Sequence, residues 1–369
     1  MGSSNRFDGE TARRRNGDLP LRRDAHETRL LGKHRISLTL PAMRSSGQER
    51  TKRWVGEDLI GALNSFMFYV RWRRLSMDIA KYPSVVTMPA AEKPYPSIVE
   101  FLSKTFQNVP RSRWAERILE GKVLSDTGSP ITAETTYAPS KRLFYFRETE
   151  HEPVIPFAEH VLFQNDEILV ACKPHFLPVI PGGRYVEECL VNRLRATTGI
   201  ADLVPIHRLD RETAGVVIFS VNKQTRGLYQ NLFMQGKVEK TYHALAEVPR
   251  PPHAHQWTVE NRIVRSEPRF RMHTVPGAAN SRTDIHLIEM KGNRALFSLQ
   301  PITGKTHQLR LHMSGLGFPI INDRVYPELQ PARDDDFEQP LQLLAKGIRF
   351  RDPVCGTDRA FRSKRGLLW

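Results

Sequence analysis

A chain of 369 residues has room for a catalytic core, a smaller module and a tail, and its 55 Lys and Arg against 40 Asp and Glu leave a formal charge of +15. That charge concentrates polyanions at the surface, nucleic acid first and anionic membrane second, but the longest apolar stretch, Leu59–Val70, is roughly half a bilayer span and runs into Arg71, Arg73 and Arg74, which argues against a spanning helix. It also lies too far from Met1 for a signal peptide, and Cys172, Cys189 and Cys355, odd in number and without a CxxC pair, exclude a disulfide framework and a cysteine zinc site.

From Met1 to about Arg53 the composition is charged and Gly/Ser-containing with little periodicity, so this part is expected to be disordered. Trp54–Ala80 reads as an amphipathic helix with a basic end, and Tyr82–Pro96 reads as a linker, so that residues 1–96 form a tail; internal Met77 and Met88 leave open a later start. Order is expected near Ser97. Ile98, Phe101, Leu102 and Phe106 recur at helical spacing, a second helix carries Trp114, Ile118 and Leu119, and Gly121 closes it. Lys122–Leu124 and Arg142–Phe146 then read as strands. Two small helices and a short sheet over residues 97–151 resemble the S4 RNA-binding module. That resemblance implies a basic face of Arg111, Arg113, Arg117 and Lys122, and the rival reading is a small packing domain with an ordinary solvated face.

From residue 152 to 369 the chain alternates strand and helix patterns. Ile168–Cys172, Gly215–Ser220, Val238–Glu247, Asp284–Glu289 and Ala295–Pro301 predict strands, and Glu187–Thr197 and Gln224–Gln235 predict helices. Irregular interspersion of this kind predicts an α+β domain built on an extended mixed sheet, mainly antiparallel and flanked by helices. The stretch Leu329–Gln339, with the acidic run Asp334-Asp335-Asp336, reads as an inserted solvated loop.

The densest chemical signal is His207-Arg208-Leu209-Asp210-Arg211-Glu212-Thr213-Ala214-Gly215, directly ahead of the apolar run Val216–Phe219. Ionisable groups at the mouth of a buried strand are where a rigid scaffold displays a site. Arg208 and Arg211 would hold Asp210 ionised, as a nucleophile or base requires, although Asp210 taken singly is as well read as a turn cap or structural ion pair. A second cluster runs from Thr303 through Lys305, His307 and Arg310 to His312. Gly304-Lys305-Thr306 imitates the end of a phosphate-binding loop but has Leu299 where glycine is required, and His307 and His312 lack the spacing of a zinc helix. Neither a nucleotide cofactor nor a metal is therefore expected. Thr306 could cap a helix ending near Gly315 or Gly317 and presenting Lys305, His307 and Arg310. A third segment, Lys240-Thr241-Tyr242, lies on an alternating strand whose tyrosine is either half-buried packing or a stacking surface for a base.

In this order and spacing, HRLDRETAG, KTYHALAE and GKTHQLRLHMSGLGFPIINDRVY, with Ile168–Pro174 ahead of them, resemble the RluA family of pseudouridine synthases over roughly residues 157–327. The resemblance implies a cofactor-free RNA isomerase. Asp210 would be the catalytic aspartate, Tyr242 the active-site tyrosine and Arg310 its basic partner; Arg208 would fill the gap left by an extruded base, and His207, Arg211, Lys240, Lys305 and His307 would face the RNA. Glu212 departs from the more usual Asp, and Cys172 from Asn. A monomeric, cytoplasmic enzyme acting on ribosomal or transfer RNA is expected, with no membrane partner. The rival classes are a non-catalytic RNA-binding or ribosome-assembly protein, which leaves Asp210, Tyr242 and Arg310 unexplained, and a hydrolase, which would release free uracil.

Overall fold

Two adjacent strands, β5 (Ile168–Lys173) and β7 (Ala214–Ser220), carry unbroken apolar runs because both of their faces are covered. Leu169, Ala171, Val217 and Phe219 pack under a helix (Leu190–Thr198), whereas Ile168, Val170, Val216 and Ile218 pack on the other side against Tyr229, Val238 and Phe350. The alternation follows from the two-residue repeat of a strand. The computed structural model describes residues 80–90, 95–149, 151–268 and 270–369, all within one unit spanning Trp72–Trp369. The tail expected for Met1–Arg53, and all but the last residue of the helix expected for Trp54–Ala80, lie outside the described residues.

The remaining strands are β1 (Ser84–Thr87), β2 (Val123–Leu124), β3 (Arg142–Tyr145), β4 (His160–Gln164), β6 (Val204–Pro205), β8 (Val238–Glu247), β9 (Gln256–Arg265), β10 (Met272–Val275), β11 (Ser281–Lys291), β12 (Arg294–Pro301), β13 (Leu343–Arg351) and β14 (Asp358–Arg362). The helices are α1 (Ile98–Thr105), α2 (Arg111–Leu119), α3 (Leu190–Thr198), α4 (Arg226–Met234) and α5 (Gln308–Gly315). The large sheet runs β10-β9-β11-β12-β8-β13-β7-β5-β4, with β14 on β13 and β6 on β7. It is mixed: β13 and β7 pair in parallel, and the other pairs are antiparallel. The domain is α+β. Among the described residues no helix is long and apolar enough to cross a membrane.

One cross-strand row positions the site. Lys173 on β5 pairs with Gly215 on β7, Gly215 with Ala345 on β13, Ala345 with Tyr242 on β8, and Tyr242 with Leu299 on β12. Gly215 is required there. Its φ of +123° is unfavourable for other residues, and a Cβ would lie 2.2 Å from the Ala345 carbonyl oxygen. The Asp210 loop therefore enters β7 where two backbones meet at closest approach.

Two readings of the N-terminal part are corrected. The linker expected at Tyr82–Pro96 contains β1, whose pairing with β3 completes a three-stranded sheet, and Met88 enters the local core with Phe101, Trp114 and Leu143. A short Ser-Val-Val-Thr run between prolines carries too little pattern to be seen alone. The basic face is also largely consumed: Arg113 (2.6 Å), Arg117 (3.4 Å) and Lys122 converge on Glu148, whose side chain is 12% exposed. A carboxylate 26 to 35 residues away thus draws together three cations that the resemblance assigned to an RNA-facing surface.

Candidate active site

Asp210 lies in the loop between β6 and β7, where the Thr213 N–H donates to its carbonyl at 3.1 Å and closes the turn. Arg310 lies in the first turn of α5, 2% exposed, with Nη1 3.8 Å from Asp210 Oδ2. Its tighter partner is Asp323, which it holds with Nε at 2.7 Å and Nη2 at 2.6 Å. Asp323 is 1% exposed and also accepts from the Val325 and Tyr326 amides. Such a two-pronged bond fixes the guanidinium plane, so Arg310 reaches Asp210 from a position set by Asp323. Burial disfavours the charge on Arg310, but the Asp323, Asp210 and Glu212 carboxylates outweigh it and raise its pKa.

The segment leading into α5 is held by Gln308 rather than by Thr306. Gln308 Oε1 accepts from the Lys305 amide and Thr303 Oγ1, while Nε2 donates to the Arg282 carbonyl and Thr283 Oγ1. This corrects the cap expected from Thr306; the N-cap position is His307, in the left-handed region at φ 55°. Its Nδ1 lies 3.0 Å from the Tyr326 hydroxyl and its Nε2 3.8 Å from Asp210 Oδ2. Burial lowers the pKa of His307, Asp210 opposes that shift and Arg310 adds to it.

Tyr242 rises from β8 between β12 and β13 into the cleft that contains Asp210 and Arg310. Burial raises the pKa of its phenol and the nearby Asp210 charge raises it further, so the ring faces the carboxylate in its neutral, protonated form. The cleft measures about 870 Å³. Arg208 and Lys305 line it with exposed side chains, and Lys240, half-buried, points its ammonium at the Thr303 carbonyl at 3.4 Å. Burial lowers the pKa of Lys240.

His207 and Arg211, both expected to face RNA, line the cleft, and their polar groups are also engaged within the protein. His207 stacks on Phe233 with ring centroids 4.7 Å apart, and its Nε2 accepts the Ile218 amide hydrogen at 3.1 Å. Burial first, then the charge of Lys240, brings its pKa down to about 3, so it is a neutral anchor for β7. Arg211 gives both terminal nitrogens to Asp335, at 2.6 and 2.9 Å. That bond also corrects the reading of Asp334–Asp336 as wholly solvated, because the Asp335 side chain is 8% exposed.

The sequence reading missed Lys173 as well. Its buried ammonium donates to the carbonyls of Pro174 (3.0 Å), Leu177 (2.6 Å) and Arg211 (2.8 Å), tying β5 to the Asp210 loop. Burial drives its pKa down, while the Asp210 charge acts in the opposite direction. The signals for Lys173 and Asp323 were present in the Lys-Pro and IINDRVY segments; their partners were not. Among the described residues no group of three or more His, Cys, Asp and Glu side chains could hold a metal.

The cleft thus unites one partly exposed carboxylate, a buried guanidinium and a neutral phenol beneath exposed cations, an arrangement suited to acid–base or nucleophilic chemistry on a polyanion. A family model described as RNA pseudouridylate synthase matches residues 167–315, which include Asp210, Tyr242 and Arg310. RNA pseudouridine synthase 7 of Oryza sativa subsp. japonica is 27% identical over 237 residues, covering 62% of this chain and 60% of the relative. The dual-specificity RNA pseudouridine synthase RluA of Haemophilus influenzae is 29% identical over 223 residues, covering 58% of this chain and 95% of the relative. Among solved structures, human RNA pseudouridylate synthase domain containing 1 aligns with a TM-score of 0.48 at 24% identity, covering 58% of this chain and 86% of that one. These similarities support an RluA-type RNA pseudouridine synthase domain, with residues 167–315 as the matched segment. The chain spans about three-fifths of the length of the rice relative.

Proposed function

We propose that the protein is an RNA pseudouridine synthase with Asp210 as its catalytic carboxylate. The observation that carries this reading is the approach of the buried Arg310 guanidinium to within 3.8 Å of Asp210, in the cleft that also holds Tyr242. The reaction breaks the N1–C1′ bond of a uridine, turns the detached uracil, joins C5 to C1′, and moves the C5 hydrogen to solvent while N1 regains a proton. It is redox-neutral and requires no cofactor. Asp210 attacks C1′ or supports departure of the uracil, and Arg310, held by Asp323, orients the carboxylate.

The target base must leave its stack, at a cost of about a few kcal/mol. Arg208, exposed at the cleft and without a hydrogen-bond or ion-pair partner among the described residues, enters the vacated space. Lys240 and Lys305 face the phosphates. Tyr242 floors the pocket. A protonated phenol is not itself a base, so its part in removing the C5 proton is a relay in which its oxygen accepts a proton only as its own is passed on. The RNA is ribosomal RNA by preference, with transfer RNA next, and the setting is a monomeric enzyme in the cytoplasm. A relative in yeast is named as a mitochondrial tRNA pseudouridine(32) synthase, which keeps transfer RNA in view. An S4-like RNA contact remains part of this reading only through Arg111, the one member of the expected face outside the Glu148 cluster.

Mapping pseudouridines in total RNA from a strain lacking the gene and from its parent tests the function. One or more sites should disappear and return with the wild-type gene; an identical map from both strains would refute the reading. Release of free uracil would favour a hydrolase.

A further inference from the structure

Arg211 follows the catalytic carboxylate immediately, yet its guanidinium is turned to Asp335, 124 residues further along the chain. Asp335 lies on the segment between α5 and β13, which the sequence marks as an insertion. Its carboxylate is a hub. Besides both Arg211 bonds, Oδ2 accepts from the Tyr185 hydroxyl at 3.1 Å and meets Arg184 at 3.3 Å. Arg211 also donates to the Tyr185 oxygen at 3.1 Å and lies over the rings of Tyr185 and Phe176. The carbonyl of the same residue is held by Lys173, so Arg211 anchors the loop through both side chain and main chain.

From this hub an alternating series of charges leads to the chemistry. Arg211 lies 3.4 Å from Glu212, Glu212 lies 3.6 Å from Arg310, and Arg310 lies 3.8 Å from Asp210. With Asp335 present, its carboxylate takes the short bonds of both Arg211 terminal nitrogens, and Glu212 keeps only a longer 3.4 Å contact to Arg211 while its other oxygen meets Arg310. Without it, the nearest carboxylate for Arg211 is Glu212, and capture of that group would withdraw an anion from Arg310 and pull on the residues beside Asp210.

Taking Asp210 as catalytic, we infer that Asp335 is a positioning residue for the reaction: by holding Arg211 it fixes the Asp210–Glu212 turn, and with it the charge balance on the Arg310 face. Asp335 touches neither Asp210 nor the cleft. Its effect therefore falls on the chemical step and not on RNA capture. A simple loop staple would instead lower the melting temperature and leave the rate per folded molecule unchanged.

The test compares the full chain with Asp335→Asn, Asp335→Glu and Arg211→Lys. The probe is C5-tritiated total RNA from cells lacking the gene, read in single turnover by tritium release, with RNA affinity and thermal melting measured alongside. Misplacing a reacting group by about 1 Å costs on the order of 100-fold, so D335N should slow the chemical step by ~10–100-fold with RNA affinity within about twofold. Asp335→Glu should recover most of the rate. Arg211→Lys keeps the charge but loses the two-pronged grip and should slow the step by about three- to tenfold. Should D335N fail to fold, the Glu and Lys variants decide the matter. Wild-type release together with unchanged rates in the folded variants overturns this inference alone, as does a loss confined to RNA affinity. Wild-type protein that releases no tritium overturns the catalytic reading and this inference with it.

Discussion

Neutralising Asp323 tests whether Arg310 is held from behind. In Asp323→Asn the shape is retained, and one amide oxygen can still accept from the Val325 and Tyr326 amides, but the side-chain NH₂ now meets the Arg310 guanidinium where a carboxylate accepted two bonds. Arg310 is 2% exposed, so water cannot replace the lost charge. Removing one partner of a buried pair costs about 3–5 kcal/mol. Asp210 and Glu212, at 3.8 and 3.6 Å, retain part of the attraction, which places the expected loss near the lower end, at about 3 kcal/mol. That is a roughly 150-fold fall in the folded-to-unfolded ratio, or a urea midpoint lower by up to about 1 M, since the urea slope of a chain this large is about 3 kcal/mol per M or steeper. Equilibrium urea melts of the two proteins measure it. A companion variant, Arg310→Met with Asp323→Leu, removes both charges and should regain most of the stability while remaining inactive. A D323N loss below about 1 kcal/mol would refute the argument that this pair is dry and mutually dependent.

Other outcomes follow from the same geometry. His207, His175 and His312 have folded-state pKa values lowered by burial to about 3, 4 and 4, so above pH 6.5 they are neutral folded or unfolded, and below it only the unfolded chain gains their protons. Stability should therefore fall as pH drops from about 6.5 towards 4, and His207→Asn should flatten the slope by up to about 1.4 kcal/mol per pH unit in denaturant melts. Gly215→Ala forces a Cβ to 2.2 Å from the Ala345 oxygen and should cost about 3 kcal/mol, measured by the same melts, with reduced activity because Lys173 and Tyr242 share that row. Arg208→Ala should leave the melting temperature almost unchanged, lower the single-turnover rate and, if a phosphate contact goes with it, reduce the salt slope of RNA binding by about one.

The parts of the molecule most legible in the sequence were those whose environment is uniform. β5 and β7, covered on both faces, read as apolar runs, and β8 and β12 carry apolar residues dense enough to mark them as strands; β9 and β13 mix Arg, Glu, Asn and Lys into their pattern and did not stand out. β1 is four residues long and acquires meaning only by pairing with β3. At the site, Asp210, Tyr242 and Arg310 were each open to a structural reading from their own segments; the resemblance to the RluA family singled them out together, and the fold brings them to one cleft. Charge alone misled elsewhere. Arg211, Arg113, Arg117 and Lys122 look like RNA contacts until Asp335 and Glu148 arrive from distant parts of the chain, and a local pattern holds no information about which carboxylate the fold delivers. His207 does line the cleft, but its ring stacks on Phe233 and its Nε2 accepts the Ile218 amide hydrogen, a partnership that its local segment does not announce.

Under the proposed function the Asp210 carboxylate performs the chemistry and contributes little to holding the RNA. Asp210→Asn preserves the side chain's size in a group that is 32% exposed, so folding should be unaffected. Single-turnover tritium release from C5-labelled RNA, with binding measured on the same preparation, is the direct measurement. No detectable release is expected, with RNA affinity within about threefold of wild type, because phosphate contacts dominate such interfaces; release at a rate near wild type would mean that another group performs the chemistry.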